Sequence, residues 1–195
     1  MSEQDKPIRK VWKMLKKAWK TTYTKFSTNI LADMKWTDES YTKSTGANKY
    51  GVWTVTTSTS SNTTEQSTPA SNAFTSSGWT NVSGKNSSRW VYLYFPEIMQ
   101  LNPTNISYDT AASGANGYFI TNVIDGLNAE TNAWERVYNS SGSRNTSNWV
   151  TGNFSITKNK YYKALRFSEP QHSTSYSRTV KIRNIKINAG TMKLY

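Results

Sequence analysis

The first 26 residues carry apolar side chains at steps of three and four positions, with lysines filling most of the places between them. This period puts the apolar side chains on one face of an α-helix. The pattern therefore predicts a basic amphipathic helix over residues 7–26. Asp5 can cap this helix, and Pro7 is tolerated in a first turn. The apolar positions are Ile8, Val11, Trp12, Leu15, Ala18, Trp19 and Phe26.

After residue 28 the apolar period shortens to two, which is typical of strands with one buried face. In segment 89–95 the alternation separates two faces: Trp90, Tyr92 and Tyr94 on one, Val91, Leu93 and Phe95 on the other. In segment 178–188 the parity changes between Ile182 and Ile185, which predicts a β-bulge. The predicted strands are 30–36, 50–57, 89–95, 104–109, 117–123, 134–138, 149–157, 161–168 and 178–188.

Loops rich in Ser, Thr, Asn and Gly separate these predicted strands, and no helical pattern lies between them. Short strands at this spacing favour an antiparallel sandwich or jelly roll. We therefore predict a mainly β protein in two parts: a basic amphipathic α-helix in residues 1–27 and an antiparallel jelly-roll β-sandwich in residues 28–195.

Composition supports one folded domain with a short appendage. The chain has 195 residues, of which 13% are aromatic, enough for a single core. The net charge is +12, and residues 1–26 hold eight basic and two acidic residues, which is half of that excess. Because the charge is concentrated in the appendage, we expect no nucleic-acid surface on the sandwich. The chain has no Cys, so a disulfide or thiolate site is excluded.

The sequence carries no recognisable catalytic motif. The ten acidic residues after residue 26 are scattered, and His172 is the only histidine. A glycosidase needs two carboxylates facing a cleft, a zinc site needs several His, Cys or carboxylate ligands, and a triad needs a nucleophile beside its His. We therefore expect no enzyme activity, no cofactor and no metal.

Seven short blocks follow one another along the predicted sandwich. They are GVWTV at 51–55, STPASNAF at 67–74, GWT at 78–80, WVYLYF at 90–95, WERV at 134–137, YYKALRF at 161–167 and the closing strand at 178–187. In this order they resemble the discoidin, or coagulation-factor type C, family of galactose-binding-like jelly rolls. Many members hold a calcium ion with acids at places that here read Thr75 and Asn184. Since calcium prefers charged oxygens, we expect none at that site.

The resemblance implies ligand binding by loops at one end of the sandwich, often to glycans. Sugar recognition needs an aromatic face for the C–H side of the ring and polar side chains for the hydroxyls. The candidates on predicted loops are Trp79, Arg144, Asn145, His172 and Tyr176.

Three roles are open for the basic helix: lying on an anionic membrane, contacting nucleic-acid phosphates, or docking on partner subunits through Trp12, Leu15 and Trp19. Docking is favoured. A binding domain behind such a peptide, made without a signal peptide, looks by analogy like a bacteriophage virion component such as a fibre, tail or head decoration protein.

On this hypothesis the protein resides in the virion. It contacts other virion proteins through residues 1–27, binds a host surface polysaccharide, forms a homo-oligomer and binds no nucleic acid. Two alternatives stay open. One is a cell-associated carbohydrate-binding module with a membrane-surface helix. The other is a purely structural virion protein that binds no ligand.

Overall fold

The computed structural model describes residues 22–58, 68–83, 90–113, 123–139, 149–168 and 178–194. Every strand pair in these ranges is antiparallel, so the mainly β, antiparallel prediction is confirmed. The one helical element described is a 3₁₀ turn at Ala70–Phe74. The strands are β1 (Thr22–Asn29), β2 (Lys35–Ser40), β3 (Lys43–Asn48), β4 (Gly51–Thr57), β5 (Trp79–Ser83), β6 (Trp90–Ser113), β7 (Val123–Asn128), β8 (Trp134–Asn139), β9 (Val150–Ser168) and β10 (Arg178–Leu194).

Two long strands, β6 and β9, organise the fold. They pair from Trp90 opposite Ser168 to Thr110 opposite Val150, and the register shifts between Tyr94 and Thr104 interrupt the ladder. All ten strands are hydrogen-bonded into one continuous sheet, which the β6–β9 ribbon divides into two layers that we call the front and back sheets. One half of this ribbon belongs to the front sheet, with the strand order β2-β3-β4-β6-β9-β7-β8. The other half belongs to a back sheet, where β6 pairs with β10, and β10 pairs with β1 and β5.

The core lies between the two sheets. Val91 and Leu93 of the front sheet are fully buried, as are Leu165 and Phe167 opposite them in β9. Tyr108, from the back half of β6, meets the ring of Phe167 edge-on at a centroid distance of 5.7 Å. Because aromatic rings from the two halves of the ribbon meet in this way, the described strands form a β-sandwich.

The first strand corrects the predicted helix end. Residues Thr22–Asn29 pair with β10, from Thr22 opposite Leu194 to Phe26 opposite Gly190. The Phe26 ring is buried in the core, close to the place that a Cβ on Gly190 would occupy. The helix prediction is therefore wrong for residues 22–26. Thr and aromatic residues favour strands, and Phe26 is buried in the core as part of a strand. The rest of the predicted helix, with Trp12, Leu15 and Trp19, lies outside the described residues.

Several other predicted boundaries also change. Residues 90–95 and 104–109 are parts of the single strand β6, and residues 150–157 and 161–168 are parts of β9. The predicted strand 30–36 is wrong over residues 30–34, which form a turn before β2. The bulge prediction is confirmed, since the β10 register shifts between Arg183 and Lys186 and Asn184 has a φ of 54°.

The β2–β3 hairpin was not predicted, because it has few apolar positions. Five of the six β2 residues are exposed, and the half-buried Trp36 packs on the core with its ring 5.2 Å from that of Phe74 between centroids. Polar contacts also hold the hairpin. Asp38 accepts hydrogen bonds of 2.6 Å from the hydroxyls of Ser44 and Ser71, and both serines are buried. No helix in the described part of the chain is long and apolar enough to cross a membrane.

Candidate functional site

The outer face of the front sheet carries a row of aromatic side chains along β6. Val91 and Leu93 point into the core and are fully buried, so Trp90, Tyr92 and Tyr94 point outward. Tyr94 is 37% exposed. The two faces predicted for this segment from its alternation are thus confirmed for these residues.

Two neighbouring strands complete the cluster. The ring of Trp134, from β8, lies 5.7 Å from Tyr92 between centroids. The guanidinium of Arg166, from β9, lies 4.2 Å from the centre of the Trp90 ring and 4.6 Å from that of Trp134. We name Trp90, Tyr92, Tyr94, Trp134 and Arg166 the aromatic platform.

The two tyrosines of the platform are nearly parallel. The Tyr92 and Tyr94 rings are 6.4 Å apart between centroids, with an interplanar angle of 18°. They are two residues apart on one strand, and this pleated spacing sets their distance. The platform therefore carries two nearly parallel tyrosine rings next to each other.

Strand register brings the platform together. One row runs straight across five strands: Thr56, Tyr92, Arg166, Asp125 and Arg136. The next row contains Thr54, Tyr94, Ala164, Leu127 and Trp134. Because residues directly opposite each other in antiparallel strands share a face, both rows lie on the outer side of the front sheet.

Asp125 fixes the orientation of Arg166. Its Oδ2 accepts hydrogen bonds from Arg166 Nε at 3.0 Å and Nη2 at 2.8 Å, and its Oδ1 accepts one from Nε of Arg136. The Asp125 side chain is only 5% exposed. A buried carboxylate between two guanidinium groups is compensated, and the three side chains together keep one net positive charge.

Burial also affects the Tyr92 hydroxyl. It raises the pKa of Tyr92 above its ordinary value, and the nearby positive charge of Arg166 only partly opposes this effect. The hydroxyl thus stays protonated at neutral pH and can donate a hydrogen bond. Thr54 and Thr56, opposite Tyr94 and Tyr92, add half-buried hydroxyls beside the rings.

The platform has the chemistry of a binding surface. It combines aromatic faces with hydroxyl and guanidinium donors, and its neighbouring acid Asp125 is engaged by two arginines. Among the described residues, no group of three or more His, Cys, Asp or Glu is placed to hold a metal ion.

The residues predicted to bind ligand are a different set. Trp79 lies in strand β5 opposite Ile182 of the back sheet, not on a loop, because the edge of β10 is free to pair there. Arg144, Asn145, His172 and Tyr176 lie outside the described residues. The alternation in segment 89–95 was the sequence signal for the platform. The sequence alone did not show whether its aromatic face binds a ligand or packs inside the protein.

The two positions that the discoidin resemblance assigns to calcium are adjacent. The backbone N–H of Asn184 donates to the carbonyl of Thr75 at 3.0 Å. The Asn184 side-chain amide donates to Asp109 at 2.8 Å. The absence of calcium there stays a prediction, as does the family resemblance.

No family model matches the chain, and no curated protein matches it. Among solved structures, it is similar to one described as CBM4, with 13% identity and a TM-score of 0.44, covering 58% of this chain and 84% of the other. A family 29 carbohydrate-binding module has 10% identity and a TM-score of 0.43, with coverage of 87% and 89%.

The N-terminal cellulose-binding domain of Cellulomonas fimi β-1,4-glucanase C has 11% identity and a TM-score of 0.48, covering 70% of this chain and 88% of that domain. At TM-scores below 0.5, these similarities establish neither a shared fold nor a shared function.

Proposed function

We propose that this protein is a non-catalytic glycan-binding module whose binding surface is the aromatic platform. The observation that carries the proposal is the pair of near-parallel rings of Tyr92 and Tyr94 on an outward sheet face. Arg166 lies beside them, held by Asp125 against two tryptophan rings.

Sugars suit this surface because each pyranose ring has an apolar C–H face and a rim of hydroxyls. The C–H face stacks on an aromatic ring, and the hydroxyls pair with donors at the rim. The platform supplies such donors in Arg166 and the tyrosine hydroxyls. The aromatic residues of the platform extend along β6 from Trp90 to Tyr94, about 13 Å at the rise of a strand, so the expected ligand is a chain and not a single monosaccharide.

The scaffold favours a defined site. The platform residues stand on paired strands of one sheet, and Asp125 restrains Arg166 with two hydrogen bonds. Side chains that are already held in place lose little conformational entropy on binding. An outward cluster of large aromatic side chains is also a common mark of an interaction surface.

The test is affinity for a panel of polysaccharides, measured with the full chain and with Tyr94→Ala. Tyr23→Ala is a matched control, because Tyr23 is an exposed tyrosine, 55% accessible, on the back sheet. We expect Tyr94→Ala to weaken binding about tenfold, the equivalent of an aromatic contact of about 1.4 kcal/mol. Tyr23→Ala should bind like the parent.

Equal losses in the two variants would contradict the platform as the site. An absence of binding across the panel would instead favour the purely structural alternative. Thermal melting of each variant separates loss of binding from loss of fold.

We also propose that the residues before β1, 1–21, attach the module to a larger assembly, as in a bacteriophage fibre, tail or head decoration protein. The support is the sequence: half of the excess positive charge lies in residues 1–26, interleaved with Trp12, Leu15 and Trp19. Co-purification with phage particles tests this proposal. Binding to anionic vesicles that depends on these residues would favour the membrane alternative.

A further inference from the structure

The charges on the front sheet bear on which glycans the platform can hold. Asp125 lies in the same row as Tyr92, and Glu39 contacts Lys43, which lies opposite Thr56 in that row. Both oxygens of Asp125 are taken by arginines, and Glu39 is paired with Lys43 at 2.6 Å. These two carboxylates are therefore already paired with basic side chains.

Arg136 is the donor best placed to reach a ligand. It follows Trp134 by two residues on β8, and its Nε is the atom that contacts Asp125. Its side chain is 45% exposed, and Nε rather than a terminal nitrogen makes its hydrogen bond to Asp125. Arg166, by contrast, is 23% exposed and uses Nε and Nη2 on the same carboxylate.

A guanidinium whose terminal nitrogens can still donate hydrogen bonds is complementary to an anion. Its N–H groups form a planar fork that binds a carboxylate, sulfate or phosphate with two parallel hydrogen bonds. A neutral hydroxyl can pair with one N–H but leaves the net positive charge of the Asp125, Arg136 and Arg166 group uncompensated. The complementary ligand therefore carries an anionic substituent.

We propose that the platform binds an acidic polysaccharide, with a sugar ring stacked on the aromatic side chains and an anionic group of the same chain held by Arg136. This inference rests on the proposed function and names its ligand class. Arg136 is then a specificity-determining residue, because it distinguishes charged from neutral chains, while the tyrosines supply contacts common to both.

The experiment compares each acidic polymer with a form that lacks the charge. Polygalacturonate, alginate and hyaluronate are each measured against their carboxyl-reduced forms, and dextran sulfate against dextran. We expect at least one acidic polymer to bind about tenfold or more tightly than its neutral form, as for a charge-assisted hydrogen-bonded pair. A preference confined to dextran sulfate assigns the anion as sulfate and still supports the proposal.

Two charge-matched variants locate the effect. Arg136→Gln should lose about tenfold for the acidic polymer and change little for the neutral form. Lys186→Gln removes the same charge from an exposed position on the back sheet and should change affinity less than about twofold, because its interactions are screened by salt. Arg136→Lys keeps the charge but loses the fork, so we expect an intermediate affinity.

The outcomes separate this inference from the proposed function. Equal binding of charged and neutral forms, lost together in Tyr94→Ala, overturns the acidic ligand and leaves the glycan-binding proposal standing. Binding of acidic polymers that Tyr94→Ala does not weaken is general attraction to a chain of net charge +12 and overturns the inference. No binding of any polymer overturns both.

Discussion

At the scale of residues, two carboxylates each hold an arginine against tryptophan. On the front sheet Asp125 holds Arg166 between Trp90 and Trp134. On the back sheet Asp109 accepts a 3.0 Å hydrogen bond from Arg183, whose guanidinium lies 4.3 Å from the centre of the Trp149 ring. The front cluster differs because two aligned tyrosines stand beside it, and this difference makes it the candidate site.

Asp109 ties three strands together. Its carboxylate accepts hydrogen bonds from Thr151 in β9 at 2.7 Å and from Arg183 and Asn184 in β10. Burial alone would raise the pKa of Asp109, but these hydrogen bonds and the charge of Arg183 outweigh it and hold the pKa below its usual value. Folding therefore favours the charged carboxylate over the protonated one.

This shift predicts a pH-dependent stability. The contribution of Asp109 is complete above the unfolded pKa of about 4, and it is lost as the pH falls through the lower folded pKa. Asp109→Asn should lower the free energy of unfolding at neutral pH by about 2 kcal/mol. It should also make the decline in stability in acid shallower than that of the parent, as measured by urea unfolding between neutral pH and about pH 2.

Glu39→Gln provides the comparison for that series. Glu39 also has a lowered pKa, caused by its hydrogen bond to Lys43, but it is exposed and screened by solvent. Its replacement should alter the acid branch less than Asp109→Asn does. Parallel curves for the parent and Asp109→Asn would show that the Asp109 network does not stabilise the fold.

At the scale of elements, β1 connects the basic N-terminal sequence to the sandwich. It pairs with the C-terminal half of β10 over Thr22 to Phe26. Its two faces differ in exposure: Phe26 on one face is 9% exposed, and Tyr23 on the other is 55% exposed. The strand therefore belongs to the folded domain, although the apolar spacing of the preceding residues continues into it.

A pair of substitutions tests this assignment. Phe26→Ala should lower the free energy of unfolding by about 3 kcal/mol, because it removes a core ring. Tyr23→Ala, on the outer face of the same strand, should lower it by less than about 1 kcal/mol. If both variants unfold like the parent, residues 22–29 are not part of the cooperative domain.

The sequence predicted strands where apolar alternation was strong, and failed where other interactions hold the strand. Alternation identified the start of β6 and the bulge at Asn184. It did not identify the β2–β3 hairpin, where Asp38 accepts hydrogen bonds from two buried serines, Ser44 within the hairpin and Ser71, which is 33 residues away in sequence. The three- and four-residue spacing of the N-terminal apolar residues extended the predicted helix to Phe26. A single apolar residue fits a period of two and a period of three or four equally well.

At the scale of the whole molecule, strand pairing around the β6–β9 ribbon explains why only part of the site could be predicted from the sequence. The aromatic alternation of β6 is local and was recognised. The remaining parts, Arg166, Asp125 and Trp134, come from three strands and meet only through register. Long-range pairing of this kind leaves no local pattern, so the sequence pointed to loops where the structure presents a sheet face.

The most direct test of the account is hydroxyl-radical footprinting of the unmodified full chain, with and without a polysaccharide that it binds. We predict protection of Tyr94 and Trp134 on the platform, and no change at Tyr23 on the back sheet. Protection of His172 and Tyr176 without protection of Tyr94 would contradict this prediction and would favour the predicted loops as the binding site.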